Sequence, residues 1–371
     1  MPIKDPIDAT LDAADAPAPD SDRKPDSPPK LNGASRKYAF KRALKEFGSD
    51  GGTDLAAMLT YYTVLSLAPA LLAIFSIITL VLAGNASTVT TLVNDLVKQV
   101  PSDYQGLVVN LVETMIGSAA GGVIALIIGI ATALWSSSAY VKAFSRCMNT
   151  IYGVEEGRGF VKQVVTMLLV TLVLLLGVVL ILVSLALNQS LVSGVLGPIA
   201  EPLGLGGILN FLTQTFLPIW AWVKWPVILA LVIAMIAVLY YFTPIVKQPK
   251  FSWVSIGAVV AIVGIAIAGV ALYIYFSFFA GYSSYGAIGT VMALLFALWI
   301  FNIVLLLGAE IDAEMERARQ LQAGIQAEET IQLPPRSTDK VEKAKETRDQ
   351  LEADGRMLRL TYGDTAADAK K

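Results

Sequence analysis

FSWVSIGAVVAIVGIAIAGVALYIYFSFFAGYSSYGAIGTVMALLFALWIFNIVLLLGA, residues 251–309, runs for 59 residues without one charged side chain. As a single helix it would be about 88 Å long, nearly three times the roughly 30 Å hydrocarbon core of a bilayer. The stretch must therefore cross and come back. GYSSYG, residues 281–286, supplies the glycines and small polar residues for a tight connection. Counting uncharged runs in the same way along the rest of the chain predicts six transmembrane helices, near residues 55–83, 119–140, 163–187, 224–243, 252–279 and 286–308.

The charged residues then orient these spans, because lysine and arginine are retained on the cytoplasmic side. Arg36, Lys37, Lys41, Arg42 and Lys45 precede the first span, and Lys142, Arg146, Arg158 and Lys162 lie between the second and third. Lys247 and Lys250 lie between the fourth and fifth, and Arg317 and Arg319 follow the sixth. The opposite connections hold only Lys98 and, at a span edge, Lys224. Every second loop is basic. The expected fold is thus an all-α integral membrane protein with both termini cytoplasmic.

Composition agrees: hydrophobic residues make up 55% and charged ones 16%, against about 25% charged in soluble domains. The single cysteine, Cys147, excludes an intramolecular disulfide framework, and the absence of histidine removes the central residue of zinc-protease helices and His-based triads. No cofactor or metal is implied. GVEEGRG, residues 152–159 with the preceding tyrosine, lacks the spacing of a phosphate-cradling loop, and the basic residues follow membrane topology rather than a nucleic-acid stripe. The expected partner is the lipid bilayer, not nucleic acid.

Three regions flank or interrupt the spans. Residues 1–35 hold seven prolines and seven aspartates and read as a disordered acidic tail. Residues 36–319 form the membrane domain, opening on RKYAFKRALKEF, where Phe40, Ala43, Leu44 and Phe47 make a helical stripe expected to lie on the cytoplasmic leaflet. Residues 320–371 read as a charged tail that extends the last helix briefly and then frays. The outer connections, residues 87–118 and 188–222, are apolar enough to form interfacial or re-entrant helices.

Within the first span Tyr62, Ser66, Pro69, Ala73 and Ser76 share a small, polar face. Pro69 cannot donate a backbone bond to the Leu65 carbonyl, so that face should turn toward neighbours or water. Tyr61, Ser136 and Asn302 fall at similar depth in the cytoplasmic half, and Glu310 directly follows the uncharged run, where an ionisable group is a functional candidate. Tyr61, Tyr62, Ser66, Pro69, Ser136, Asn302 and Glu310 are the candidate cavity or pathway residues. A helix-packing role for the same small and hydroxyl residues is the competing reading. Arg146 or Arg158 is a plausible partner for Glu310.

Several segments together resemble the YihY/virulence factor BrkB family of bacterial inner-membrane proteins, once labelled ribonuclease BN. The matching stretches are LAAMLTYYTVLSLAPALLAI, ALWSSSAYVKAFSRCMNTIYGVEEGRGFVKQ, LYYFTPIVKQPKFSWVSIGAV and YSSYGAIGTVMALLFALWIFNIVLLLGAEIDAEMER. The motif positions include Tyr61, Tyr62, Pro69, Trp135, Ser136, Asn149, Pro244, Gly257, Tyr285, Gly286, Gly289, Gly308 and Glu310, and Ile245 stands where a polar residue is expected. The resemblance implies a six-span fold in the cytoplasmic membrane. It points to a transporter or translocase of an amphiphilic, lipid or envelope-related substrate, with a noncatalytic scaffold for envelope assembly as the alternative. The old ribonuclease label finds no support in these residues, since phosphodiester hydrolysis needs metal-held carboxylates or an acid–base pair.

Overall fold

The computed structural model describes residues 5–21, 24–25, 30–81, 106, 122–189, 192, 205–249, 255–279 and 286–362. Among these the secondary structure is helical, apart from one isolated bridge between Val246 and Pro335. The long helices are α3 (Gly52–Val81), α4 (Gly122–Ile151), α5 (Phe160–Ala186), α6 (Gly206–Phe242), α7 (Ile256–Phe279) and α8 (Gly286–Gln322). Each covers one of the six uncharged runs. Four of them, α5 to α8, are long and apolar enough to cross a membrane over their described residues. The charge-free stretch breaks where expected, with α7 ending at Phe279 and α8 beginning at Gly286.

The helix ends differ from the expected span ends. α4 continues past residue 140 to Ile151, and α8 past residue 308 to Gln322. Apolar runs mark where hydrocarbon would end, whereas the helices carry on beyond it with charged residues. Lys142 illustrates how: its Nζ lies 4.4 Å from the Trp135 ring centroid, a favourable cation–π placement that leaves the α4 backbone undisturbed.

Outward faces explain why these helices need an apolar surrounding. On α5, Val161, Val165, Leu169, Val173, Leu176 and Leu180 are all exposed and recur every three or four residues, one continuous stripe down the helix. The inward faces build the core: α3 packs on α4 and α8, α5 on α4 and α6, and α7 along α8. Phe144 sits at its centre, stacked on Tyr240 at 6.2 Å.

α2 (Gly33–Ser49) begins with the Asn32 side chain accepting from Ser35 N at 2.7 Å, a standard cap. It ends at Gly51, whose φ of +67° lets the chain turn sharply into α3. The expected lipid-facing stripe is split. Ala43, with Ala39, is buried against Ile311, Met315 and Ala318 of α8, while Phe40 and Leu44 stay exposed. Alanine allows α2 to approach α8 closely, so the helix belongs to the bundle and leaves only its other face to the surroundings.

The chain on either side of the bundle carries two further helices. α1 (Pro6–Asp12) is capped by the Asp5 side chain on Ile7 N at 2.8 Å with Pro6 in its first turn. α9 (Asp339–Tyr362) is a helix within the tail expected to fray, and the two are joined by Asp8 with Lys345 at 3.0 Å and Asp5 with Arg348 at 2.6 Å. Between α8 and α9 the chain returns to the end of α6. Arg336 N donates to Ile245 O at 2.7 Å and Lys247 N to Pro334 O at 2.8 Å.

Candidate functional site

Asn302 lies on α8 where that helix meets α3 and α4. Its Oδ1 accepts from the Tyr140 hydroxyl at 3.1 Å, and its Nδ2 donates to Thr60 Oγ1 at 3.2 Å and Leu298 O at 3.0 Å. Thr60 in turn donates to Ala56 O at 2.8 Å. One buried amide thus ties three helices together.

Beyond that bridge, away from the charged end of α8, two serine hydroxyls are buried with no hydrogen-bond partner among the described residues: Ser66 on α3 and Ser137 on α4. Ser66 is six residues on from Thr60 and one turn from Tyr62, and Ser137 is three residues from Tyr140, so the two lie about 5–9 Å further along α3 and α4. Neighbouring Ser138 shows the ordinary solution, donating back to Trp135 O at 2.6 Å. Ser136 and Pro69 are half-buried.

The two tyrosines part company. Tyr61 is exposed, with its ring edge-on to Tyr62 at 5.5 Å. Tyr62 is half-buried, and Arg146 of α4 stands 5.2 Å from its ring centroid. Tyr62 packs against the core and Ser66 is buried, while Tyr61 is exposed. The side chains of Ala73 and Ser76, the whole of Tyr285, and of the outer connections residues 87–105, 107–118, 190–191 and 193–204 lie outside the described residues, whereas 206–222, expected as an outer connection, are the first part of α6.

Glu310 is two turns along α8 from Asn302. It is 1% exposed, and neither carboxylate oxygen has a hydrogen-bond partner among the described residues. Neither expected arginine pairs with it: Arg146 is over Tyr62, and Arg158 is held by Glu156. The nearer arginines are committed elsewhere. Arg317 donates to Glu314 at 2.9 Å and to Ala327 O at 2.8 Å; Arg42 reaches Glu46 at 3.2 Å and Glu314 at 3.4 Å. At the α2–α3 elbow, burial and then the charges of Glu46 and Glu314 push the Asp50 carboxyl up to about 6. No group of three or more metal-ligating side chains is gathered among the described residues.

A second polar cluster closes the connection between α4, α5 and α6. Arg158, 1% exposed, donates to both Glu156 oxygens at 2.7 Å, to Ser145 Oγ at 3.0 Å and to Thr243 O at 2.8 Å. Asn149 completes it, giving its amide to Glu156 at 3.1 Å and accepting from Ile245 N at 2.9 Å. Burial raises the Glu156 pKa, but the Arg158 hydrogen bond and charge outweigh it and hold that carboxyl below the usual range. At Ile245 the backbone, not the side chain, does the polar work, and the fully buried side chain joins the core. By sequence, residues 150–163 read only as a basic amphipathic connection. The signal is present in the three charges of GVEEGRG lying among glycines, but beyond the Glu156–Arg158 pair the groups they bind, Asn149, Ser145 and Thr243, lie on α4 and at the end of α6.

The profile of the family described as Virulence factor BrkB matches residues 43–331 of the chain. Among curated proteins, the "Putative ribonuclease-like protein YfkH" of Bacillus subtilis (strain 168) is 30% identical over 284 residues, covering 76% of this chain and 96% of that protein. No solved structure matches.

Proposed function

The chain belongs to the virulence factor BrkB family, and from that premise we propose that it is a translocase carrying an amphiphile, a lipid or an envelope precursor, between the two faces of a bacterial cytoplasmic membrane. In this reading all six long helices cross the bilayer and both termini are cytoplasmic, because the basic residues fall on every second connection. The charged end of α8 then faces the cytoplasm.

The observation that carries the proposal is the seam between α3, α4 and α8. Glu310, the Asn302 bridge, Ser66 and Ser137 are buried polar groups spread over about 20 Å along these helices, and among the described residues only the Asn302 bridge is satisfied by protein. A seam used solely for packing would pair its hydroxyls as Ser138 does, since an unmet polar group inside a membrane costs several kcal/mol. Groups left open favour water and a polar headgroup as their partners. The test is leaflet exchange of labelled lipids in liposomes holding the purified protein: exchange above protein-free liposomes is expected, and none across a broad lipid panel contradicts it.

One observation favours a scaffold instead. α9 exposes Leu351, Met357, Leu358 and Leu360 on a helix outside the bundle, apolar surface of the kind that recruits a partner. On that reading deletion of residues 339–371 abolishes the cellular phenotype while substitution of Ser66 and Ser137 leaves it intact. The transport reading requires the reverse.

The name of the Bacillus relative raises a nuclease. We propose that this chain is not an enzyme: Glu314 and Glu316 are taken by Arg317, and by Arg319 with Lys24, and no group of three or more metal-ligating side chains is gathered among the described residues. Metal-dependent RNA cleavage by the purified protein that is lost in Glu310→Gln would contradict this.

A further inference from the structure

Glu310 is the one described carboxylate that is almost fully buried with both oxygens lacking a hydrogen-bond partner. The charged and titratable groups facing it come from three directions: Glu46 and Arg42 from α2, Asp50 from the α2–α3 elbow, and Glu314 and Arg317 from α8 itself. Tyr152, at the end of α4, lies within range of the same carboxylates. Four carboxyl groups therefore share two arginines, and both arginines are already bound to Glu314, with Arg42 also on Glu46. An ionised Glu310 would be a buried charge with no counter-ion and no donor, which a protein avoids by keeping the group neutral.

We propose that Glu310 is a proton-binding site: it holds a proton at neutral pH, and losing it to alkaline water loosens the packing of the α2–α3 elbow against α8. Between the two unpaired carboxyls of the cluster, Glu310 is the one that keeps the proton. Asp50 is only half-buried, so its charge is tolerated where that of Glu310 is not. Ionisation of Glu310 would add a negative charge beside Asp50, Glu46 and Glu314 and push these segments apart. The proposal concerns a proton and a joint between helices, and stands whether or not the protein moves a lipid.

The experiment is infrared spectroscopy of the carboxyl carbonyl stretch, with the full-length protein in lipid nanodiscs titrated through pH. A protonated-carboxyl absorption is expected at pH 7 in the wild type; it is lost in Glu310→Gln and retained in Asp50→Asn. Its absence from the wild type at pH 7, which requires no variant to fold, overturns the proposal. So does its persistence in folded Glu310→Gln, which would place the proton elsewhere. Disappearance on adding sodium or magnesium chloride at constant pH would also overturn it, by making the site one for a metal cation.

Discussion

Gly257 of α7 and Gly308 of α8 meet backbone to backbone: a Cβ on Gly308 would stand 2.5 Å from the Gly257 carbonyl oxygen and 2.6 Å from the Tyr240 hydroxyl. Around that crossing the Tyr240 hydroxyl donates to Leu305 O, and Asp312 accepts from Gly257 N at 2.7 Å and from the Ser255 hydroxyl, capping α7 from a neighbouring helix. Gly308→Ala must part the two helices and break these bonds together. Overpacking of this kind costs about 1–3 kcal/mol. A lower thermal midpoint in detergent is expected, with Gly269→Ala, which meets open space, as the comparison that moves little.

Arg158 neutralises Glu156 inside the bundle, so Arg158→Ala leaves a buried carboxylate without its counter-charge. The expected loss is about 3–5 kcal/mol. The same pair has an acid dependence of definite sign. Because Glu156 titrates below its ordinary 4.5 when folded, its contribution is fully present above pH 4.5 and fades as the pH falls through the folded value. The stability gap between wild type and Glu156→Gln should therefore be widest near neutrality and close in acid, as read by thermal unfolding across pH.

Asp50 behaves in the opposite sense. Its folded pKa of about 6 lies above the ordinary 3.8, so the folded state binds more protons than the unfolded one between those values. Stability falls as pH rises through that window. Asp50→Asn should raise the thermal midpoint at pH 7, and the gain should shrink steadily as the pH is lowered toward 4.

The two tails are held by Asp5 and Asp8 against Lys345 and Arg348, all on the surface. Such pairs are screened by salt. Spin labels placed on α1 and α9 should show a short distance at low ionic strength that lengthens and broadens with added salt, and the same change should follow Asp8→Asn.

The helices were legible because an uncharged run of twenty or more residues has one stable outcome in a bilayer, and the 251–309 stretch could only fold back. Helix ends were less so, since hydropathy reports where lipid stops and α4 and α8 continue beyond it. In the tails low hydrophobicity argues against a core, yet Asp5 and Pro6 start a helix locally, and opposite charges pair it with α9. At the site, Glu310 stood out as the first charge after a long apolar run. Its isolation did not, because that depends on where Arg42, Arg317 and Arg158 find their partners. Arg158 donates to the carbonyl of Thr243, 85 residues away, and nothing local to GVEEGRG announces that contact.

The central claim is that the seam holding Ser66 and Ser137 opens to water and cargo rather than being sealed by packing. The direct measurement is thiol labelling from the aqueous phase in intact membranes, using Ser66→Cys and Ser137→Cys in a Cys147→Ser background, since the native thiol is buried. The account predicts that both cysteines react with a membrane-impermeant reagent and that an added amphiphilic cargo protects them. Two folded variants whose cysteines stay unreactive until the membrane is dissolved and the protein unfolded would contradict it.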